Sequence, residues 1–163
     1  MRNWNNRAKE VSYLLNPAFC SRLLYNTIKT YTTESNRSFP FPLVYFILPL
    51  LLHRKTREAI SSKSQFINWI RSNEPLLIGF AERTKSLVVI TNEALEFLLQ
   101  SGYVVFSASA ELEIFPAIKS PSKTKFTEDN DIKECITKSE HVGKWFARTG
   151  KIETIYSSLG VRP

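Results

Sequence analysis

Residues 16–60 read NPAFCSRLLYNTIKTYTTESNRSFPFPLVYFILPLLLHRKTREAI. The stretch joins a capped amphipathic helix to a proline-framed apolar run. Asn16 suits an N-cap, and Pro17 suits the first helical position, where its missing N–H costs nothing. Leu15, Phe19, Leu23, Leu24, Ile28 and Tyr31 then fall on one helical stripe. Polar residues 32–38 end that helix. Pro40 and Pro42 lead into a second helix over 43–52, apolar nearly all round and therefore central. Pro49 removes one backbone donor and is expected to kink or restart it. His53, Arg54, Lys55 and Arg57 follow at its exit, where cations complement the helix dipole. The apolar run is too short to cross a bilayer, which takes about 20 apolar residues.

Working outward, residues 1–11 form a polar arm with no secretory signal pattern. Residues 64–72 read as a short helix with Phe66, Ile67, Trp69 and Ile70 inward. Pro75 is expected to start another, carrying Leu77, Phe80, Ala81, Thr84, Leu87 and Val88. Thr91 is expected to cap the next, with Leu95, Leu98 and Leu99 on its core face and Gly102 as its stop. The period then changes to two. Residues 103–106 and 111–115 flank a small-residue turn at 107–110, a hairpin signal. Helix, helix and hairpin is the order of a winged helix, with its turn at Ile90 and Thr91. Residues 119–130 are polar and carry Pro121, as a linker or exposed loop does. A helix follows over 131–149, with Ile132, Cys135, Ile136, Val142 and Phe146 on one face. A last short helix carries Ile152, Ile155, Tyr156 and Leu159. The expected fold is mainly α with a small β-hairpin (α+β): a winged-helix-like core over 12–118, and a C-terminal helical segment over 131–163 packing on it.

The chain has 163 residues, 43% of them hydrophobic, enough for a core without disulfide staples. Cys20 and Cys135 form no C-x-x-C pair and lie on apolar helical faces, so buried thiols in a reducing cytosol are expected. The expected location is cytoplasmic.

The chemistry expected is not catalytic. Asp129 and Asp131 are the only aspartates, and both lie at the linker–helix junction. Hard cations need clustered carboxylates, and no such cluster is visible. His53 and His141 each lack a second His or Cys at metal-ligand spacing. No glycine-rich phosphate loop and no G-x-S-x-G elbow is present. No catalytic residue, cofactor or metal is assigned.

The net charge of +7 invites a polyanionic partner. Its location argues otherwise for the wing. Residues 91–115 hold no Lys or Arg, but carry Glu93, Glu96, Glu111 and Glu113. Four carboxylates facing a polyanion would repel it, so this unit suits a protein partner. The cations gather elsewhere: at residues 54–57, at Lys119, Lys123 and Lys125, and at Lys144, Arg148 and Lys151 beside Trp145 and Phe146. The last group matches either phosphates with stacking aromatics or a plain solvated helix face.

The phrases LLNPAFC (14–20), PFPLVYFILPLLLH (40–53), TREAI (56–60), GFAERTKSLVVITNEALEFLLQSG (79–102) and VGKWFARTG…IYSSLGVRP (142–163) recur together in one family. In them the chain resembles the middle-component family of bacterial three-component ABC-ATPase conflict systems, from about Leu14 to Pro163. The resemblance implies an accessory subunit of a Lamassu-type antiphage or antiplasmid defence complex. A coiled-coil ATPase of the chromosome-maintenance type would sense aberrant DNA, and a separate effector, often a nuclease, would act on nucleic acid. The middle component would bridge the two as a hetero-oligomer, without catalysis, and DNA would be met through the complex and not through the wing. The surface residues expected to carry contacts are His53, Arg54, Lys55 and Arg57, the acidic Glu93, Glu96, Glu111 and Glu113, and the C-terminal Lys144, Trp145, Arg148 and Lys151. The alternative is a winged-helix DNA-binding protein or regulator.

Overall fold

The computed structural model describes residues 15–116 and 130–162. The polar arm and all but the last residue of the expected linker lie outside them. Helix α1 (Pro17–Ser35) starts as the sequence implies: the Ala18 N–H donates to Asn16 Oδ1 at 2.9 Å. It ends at Asn36, whose φ of 52° is left-handed and whose N–H returns to the Thr32 carbonyl. The turn that follows aims Phe39 inward, edge-on to Tyr31 with centroids 5.0 Å apart.

Pro40 and Pro42 set up a 3₁₀ turn, Phe41–Leu43, which runs into α2 (Val44–Leu52). Pro49 lies within α2, and the helix continues past it to Leu52. Seven of the nine α2 side chains are buried, so the helix forms the centre of the core.

His53 ends α2 and caps α3 (Arg54–Ala59). The Thr56 N–H donates to His53 Nδ1 at 3.4 Å, and the Thr56 hydroxyl lies 2.6 Å from the same nitrogen. An accepting Nδ1 must be unprotonated. Burial, aided by Arg83 and Lys55, holds the His53 pKa below its ordinary value. A base whose pKa falls on folding stabilises the fold above the unfolded value, about 6.5. That contribution is lost as pH drops below 6.5 and through the folded value. His141, lowered by burial and then by Lys138 and Lys144, acts in the same sense. The urea midpoint should therefore fall between pH 7.5 and 5, and His53→Asn, which caps at every pH, should flatten part of that slope. An unchanged slope in the variant would remove His53 from this role.

α4 (Phe66–Ser72) places Trp69 against the body, its Nε1–H donating to the Ala59 carbonyl at 2.8 Å. The next segment departs from expectation. Pro75 belongs to a 3₁₀ turn, Glu74–Leu77, and not to a long helix. Gly79, at φ +72°, breaks the chain there, a conformation that suits glycine. Then α5 runs unbroken from Phe80 to Gln100. Thr91 is buried inside it and caps nothing. The turn expected at Ile90 and Thr91 is therefore not formed, and one helix, not two, precedes the hairpin. The reason is phase: Phe80, Thr84, Thr91, Ala94, Leu95 and Leu98 continue one stripe, and no Gly or Pro interrupts it.

The hairpin is present: β1 (Val104–Phe106) pairs antiparallel with β2 (Leu112–Ile114). Phe39 forms a bridge on the far side of β2, exchanging two 2.8 Å hydrogen bonds with Leu112. The loop after α1 thus pins the hairpin to the core. α6 (Asn130–Thr149) packs along α1, and a short α7 (Ile152–Ser158) closes the chain. Cys20 on α1 and Cys135 on α6 are buried thiols. Burial, then Cys135 and Glu93, pushes the Cys20 thiol up to about 12. The molecule is mainly helical with a small two-stranded sheet, the fold class the sequence implies.

Candidate functional site

The basic exit of α2 divides into an inner and an outer half. Arg57 does not reach the surface. Its Nε–H donates to Glu134 at 2.8 Å, its other nitrogens reach the Leu51 carbonyl at 3.0 Å and Asp131 at 3.3 Å, and its side chain is 2% exposed. The expectation that Arg57 is a partner contact is corrected: it ties α3 to α6. The Lys138 ammonium donates to the Ile60 carbonyl beside it. His53 is half-buried and spent on the cap. Arg54 and Lys55 are exposed, with Arg54 paired to Glu58 one turn on. Such an exposed pair contributes little to stability and leaves Arg54 able to exchange partners.

The C-terminal group divides in the same way. Trp145 is buried, its Nε1–H donating to the Ser64 carbonyl at 2.7 Å and its ring packed against Trp69 with centroids 5.0 Å apart. It is a core residue and offers no ring face to a base, which corrects its expected surface role. Arg148 is exposed and sits 3.5 Å from Glu34. Lys151 is exposed at the start of α7, and Lys144 is half-buried.

The acidic set lies on two elements. Glu93 is half-buried and Glu96 exposed on α5, where Glu96 accepts from Gln100 at 2.9 Å. On the hairpin, Glu111 accepts from Ser109 at 3.2 Å, and Glu113 accepts from Ser38 at 2.7 Å. None of these four carboxylates has a Lys or Arg within ion-pair distance among the described residues. The partners of Glu96, Glu111 and Glu113 are neutral groups, so their charge stays available to an incoming cation.

Sequence reasoning missed the apolar part of this surface. Val89 and Phe97 stand on the outer side of α5, and Phe106 and Phe115 on the hairpin, all substantially exposed. Phe106 packs edge-on to Phe41 (5.5 Å) and Phe41 to Tyr45 (5.8 Å). The Tyr45 hydroxyl donates to Asn92 Oδ1 at 2.9 Å, which joins this aromatic trio to the outer face of α5. One signal was available. At 100° per residue, Val89 lies opposite Phe80 and Leu98, and Phe97 lies about 100° round from them, off the core stripe.

Among the described residues no group of three or more His, Cys, Asp or Glu could hold a metal ion. No described helix is long and apolar enough to cross a membrane. The surface offers contacts of charge and apolar area, which suit binding.

A family model described as ABC-three component (ABC-3C) system Middle Component 3 matches residues 4–163. The chain belongs to this family. The match extends past the quoted phrases into the polar arm and runs through the linker. Membership as a middle component supports an adaptor role alongside the other components of an ABC system. No curated protein and no solved structure matches the chain.

Proposed function

We propose that this Middle Component 3 chain is a non-catalytic adaptor, bridging an ABC ATPase of the chromosome-maintenance type and an effector such as a nuclease. The complex would be a Lamassu-type antiphage or antiplasmid defence system working in the cytoplasm. The observation that carries the reading is family membership over residues 4–163 as a middle component. The surface supports it: carboxylates at Glu93, Glu96, Glu111 and Glu113 stand beside exposed Val89, Phe97, Phe106 and Phe115. Apolar area with a polar rim is what a protein interface needs. Nucleic acid is disfavoured there, because carboxylates repel phosphate. DNA would be engaged through the assembled complex.

Co-expression of the three components tests this. The chain should co-purify with the ATPase, the effector or both. Reversing Glu93 and Glu96 together to Lys should weaken capture at least tenfold with little change in thermal midpoint, since Glu96 is exposed and Glu93 only half-buried. A chain that stays monomeric beside both components would overturn the reading.

A further inference from the structure

The most exposed large apolar side chain among the described residues is Ile78, at 78%. It is held there. The Arg83 guanidinium donates to the Leu76 carbonyl at 2.8 Å and to the Ile78 carbonyl at 3.0 Å, and it lies over the Phe80 ring at 5.6 Å. Gly79 fixes the turn from the other side. Two hydrogen bonds and a left-handed glycine thus present an isoleucine to solvent on a rigid loop. Beside it runs a groove of about 430 Å³, lined by Leu77, Ile78, Phe80, Leu159, Glu74 and Glu82. Glu74 and Glu82 are the only charged groups among its lining residues.

The groove shares Glu82 with the outer face of α5. With Val89 as origin and 100° per residue, Glu82, Val89, Glu93, Glu96 and Phe97 fall in a sector of about 100°. The face extends about 30 Å, the rise of a 21-residue helix at 1.5 Å per residue. It carries apolar points at Ile78, Val89 and Phe97, and carboxylates at Glu74, Glu82, Glu93 and Glu96. Lys85 stands at its margin, and Arg83 is turned into the loop. Apolar points interspersed with carboxylates along one helical sector match a partner helix that carries apolar residues and cations together on one face.

A second copy of this chain is a poor occupant. The five large apolar side chains exposed among the described residues lie between residues 78 and 115, on this acidic side. The two basic groups considered above, Arg54 with Lys55 and Arg148 with Lys151, have no exposed large apolar residue among them. Among the described residues, neither of these two basic groups offers this face a matching apolar seam.

We propose that the face from the Ile78 loop along α5 to Phe97 docks a basic amphipathic helix of another component of the complex. The proposal rests on the adaptor reading and specifies its contact chemistry. Ile78 is the anchor, seated beside the Glu74 and Glu82 groove, and Val89 and Phe97 continue the seam. The long-range part of the attraction is electrostatic, so the complex weakens as salt rises.

The test uses the full chain co-expressed with its ATPase and effector components. Hydrogen exchange should be slowed within residues 76–97 on assembly. Cross-linking should place against them a partner segment with Lys or Arg beside apolar residues at helical spacing. Ile78→Asp and Val89→Asp should each weaken the complex at least tenfold, with thermal midpoints near that of the parent, because both side chains are exposed. Arg54→Ala with Lys55→Ala should leave this contact intact. If the complex forms but both Asp variants bind like the parent, the docking face is elsewhere; this proposal falls and the adaptor reading stands. An acidic or uncharged segment at the cross-link, or a second copy of the chain, also overturns it. If no complex forms with either component, the adaptor reading fails and this proposal with it.

Discussion

Gly143→Leu should prevent α6 from docking on α1, and even Gly143→Ala should lower stability. A Cβ at position 143 would lie 2.6 Å from the Thr27 carbonyl oxygen, 2.9 Å from Thr30 Cβ and 3.2 Å from the Tyr31 nitrogen. Two of those three atoms are backbone, so neither can swing aside. The crossing is also stitched: the Thr27 hydroxyl lies 3.0 Å from both the Leu23 and the Ser139 carbonyls. Moving the helices apart to admit a methyl group would stretch that contact and loosen Cys135, Val142 and Phe146, all fully buried on α6. Local propensity predicts the opposite sign, because Ala in a helix interior is favoured over Gly by about 1 kcal/mol. Overpacking a tight core costs about 1–3 kcal/mol. The net expectation is a loss of up to about 2 kcal/mol for Ala. Leu adds three more carbons to the same space and should cost several times as much. Urea unfolding measures both. A midpoint that rises in Gly143→Ala would show that the crossing relaxes freely, and the close approach would then have no energetic weight.

That glycine illustrates what was legible in the chain. Several signals written within a few residues match the structure, although Pro75 and Thr91 do not. The Asn16 and Pro17 start, the apolar centre at residues 44–51, the hairpin and the buried cysteines depend on local caps, period and composition. What depends on distant partners was not legible. Arg57 looked like one of a row of surface cations, because its carboxylates sit 74 and 77 positions later, on α6. Trp145 looked like a stacking residue beside Lys144, yet its nitrogen is claimed by Ser64, a loop residue 81 positions earlier. α5 was divided at Thr91 because threonine caps helices, although the apolar stripe keeps its phase through that position. The docking face is half legible: its acid is plain from charge, while its apolar points Ile78, Val89 and Phe97 fall outside the expected core stripes and carry no signal beyond that. Ile78 in particular is displayed only because Arg83 and Gly79 hold its loop.

Asp131→Ala with Glu134→Ala should cost more than Arg57→Met, although both break the same ion-pair cluster. The difference lies in what is left behind. Without the two carboxylates, a guanidinium 2% exposed retains only the Leu51 carbonyl as a described partner. Leaving a buried charge without its counter-ion costs about 3–5 kcal/mol. Without Arg57, the remaining carboxylates are 45% and 30% exposed, and water can solvate them. Methionine fills much of the vacated volume, and an apolar replacement of a buried ion often costs little or nothing. Equal midpoints for the two variants would mean that water reaches Arg57 and that its charge is not the controlling quantity. The comparison also bears on assembly. The cluster fastens α6 to the exit of α2, while the proposed docking face lies on α5. A variant that loosens only the α3–α6 attachment should therefore lose stability before it loses its partner. The exposed Ile78→Asp and Val89→Asp should show the reverse order, and that inversion separates the scaffold from the surface that binds.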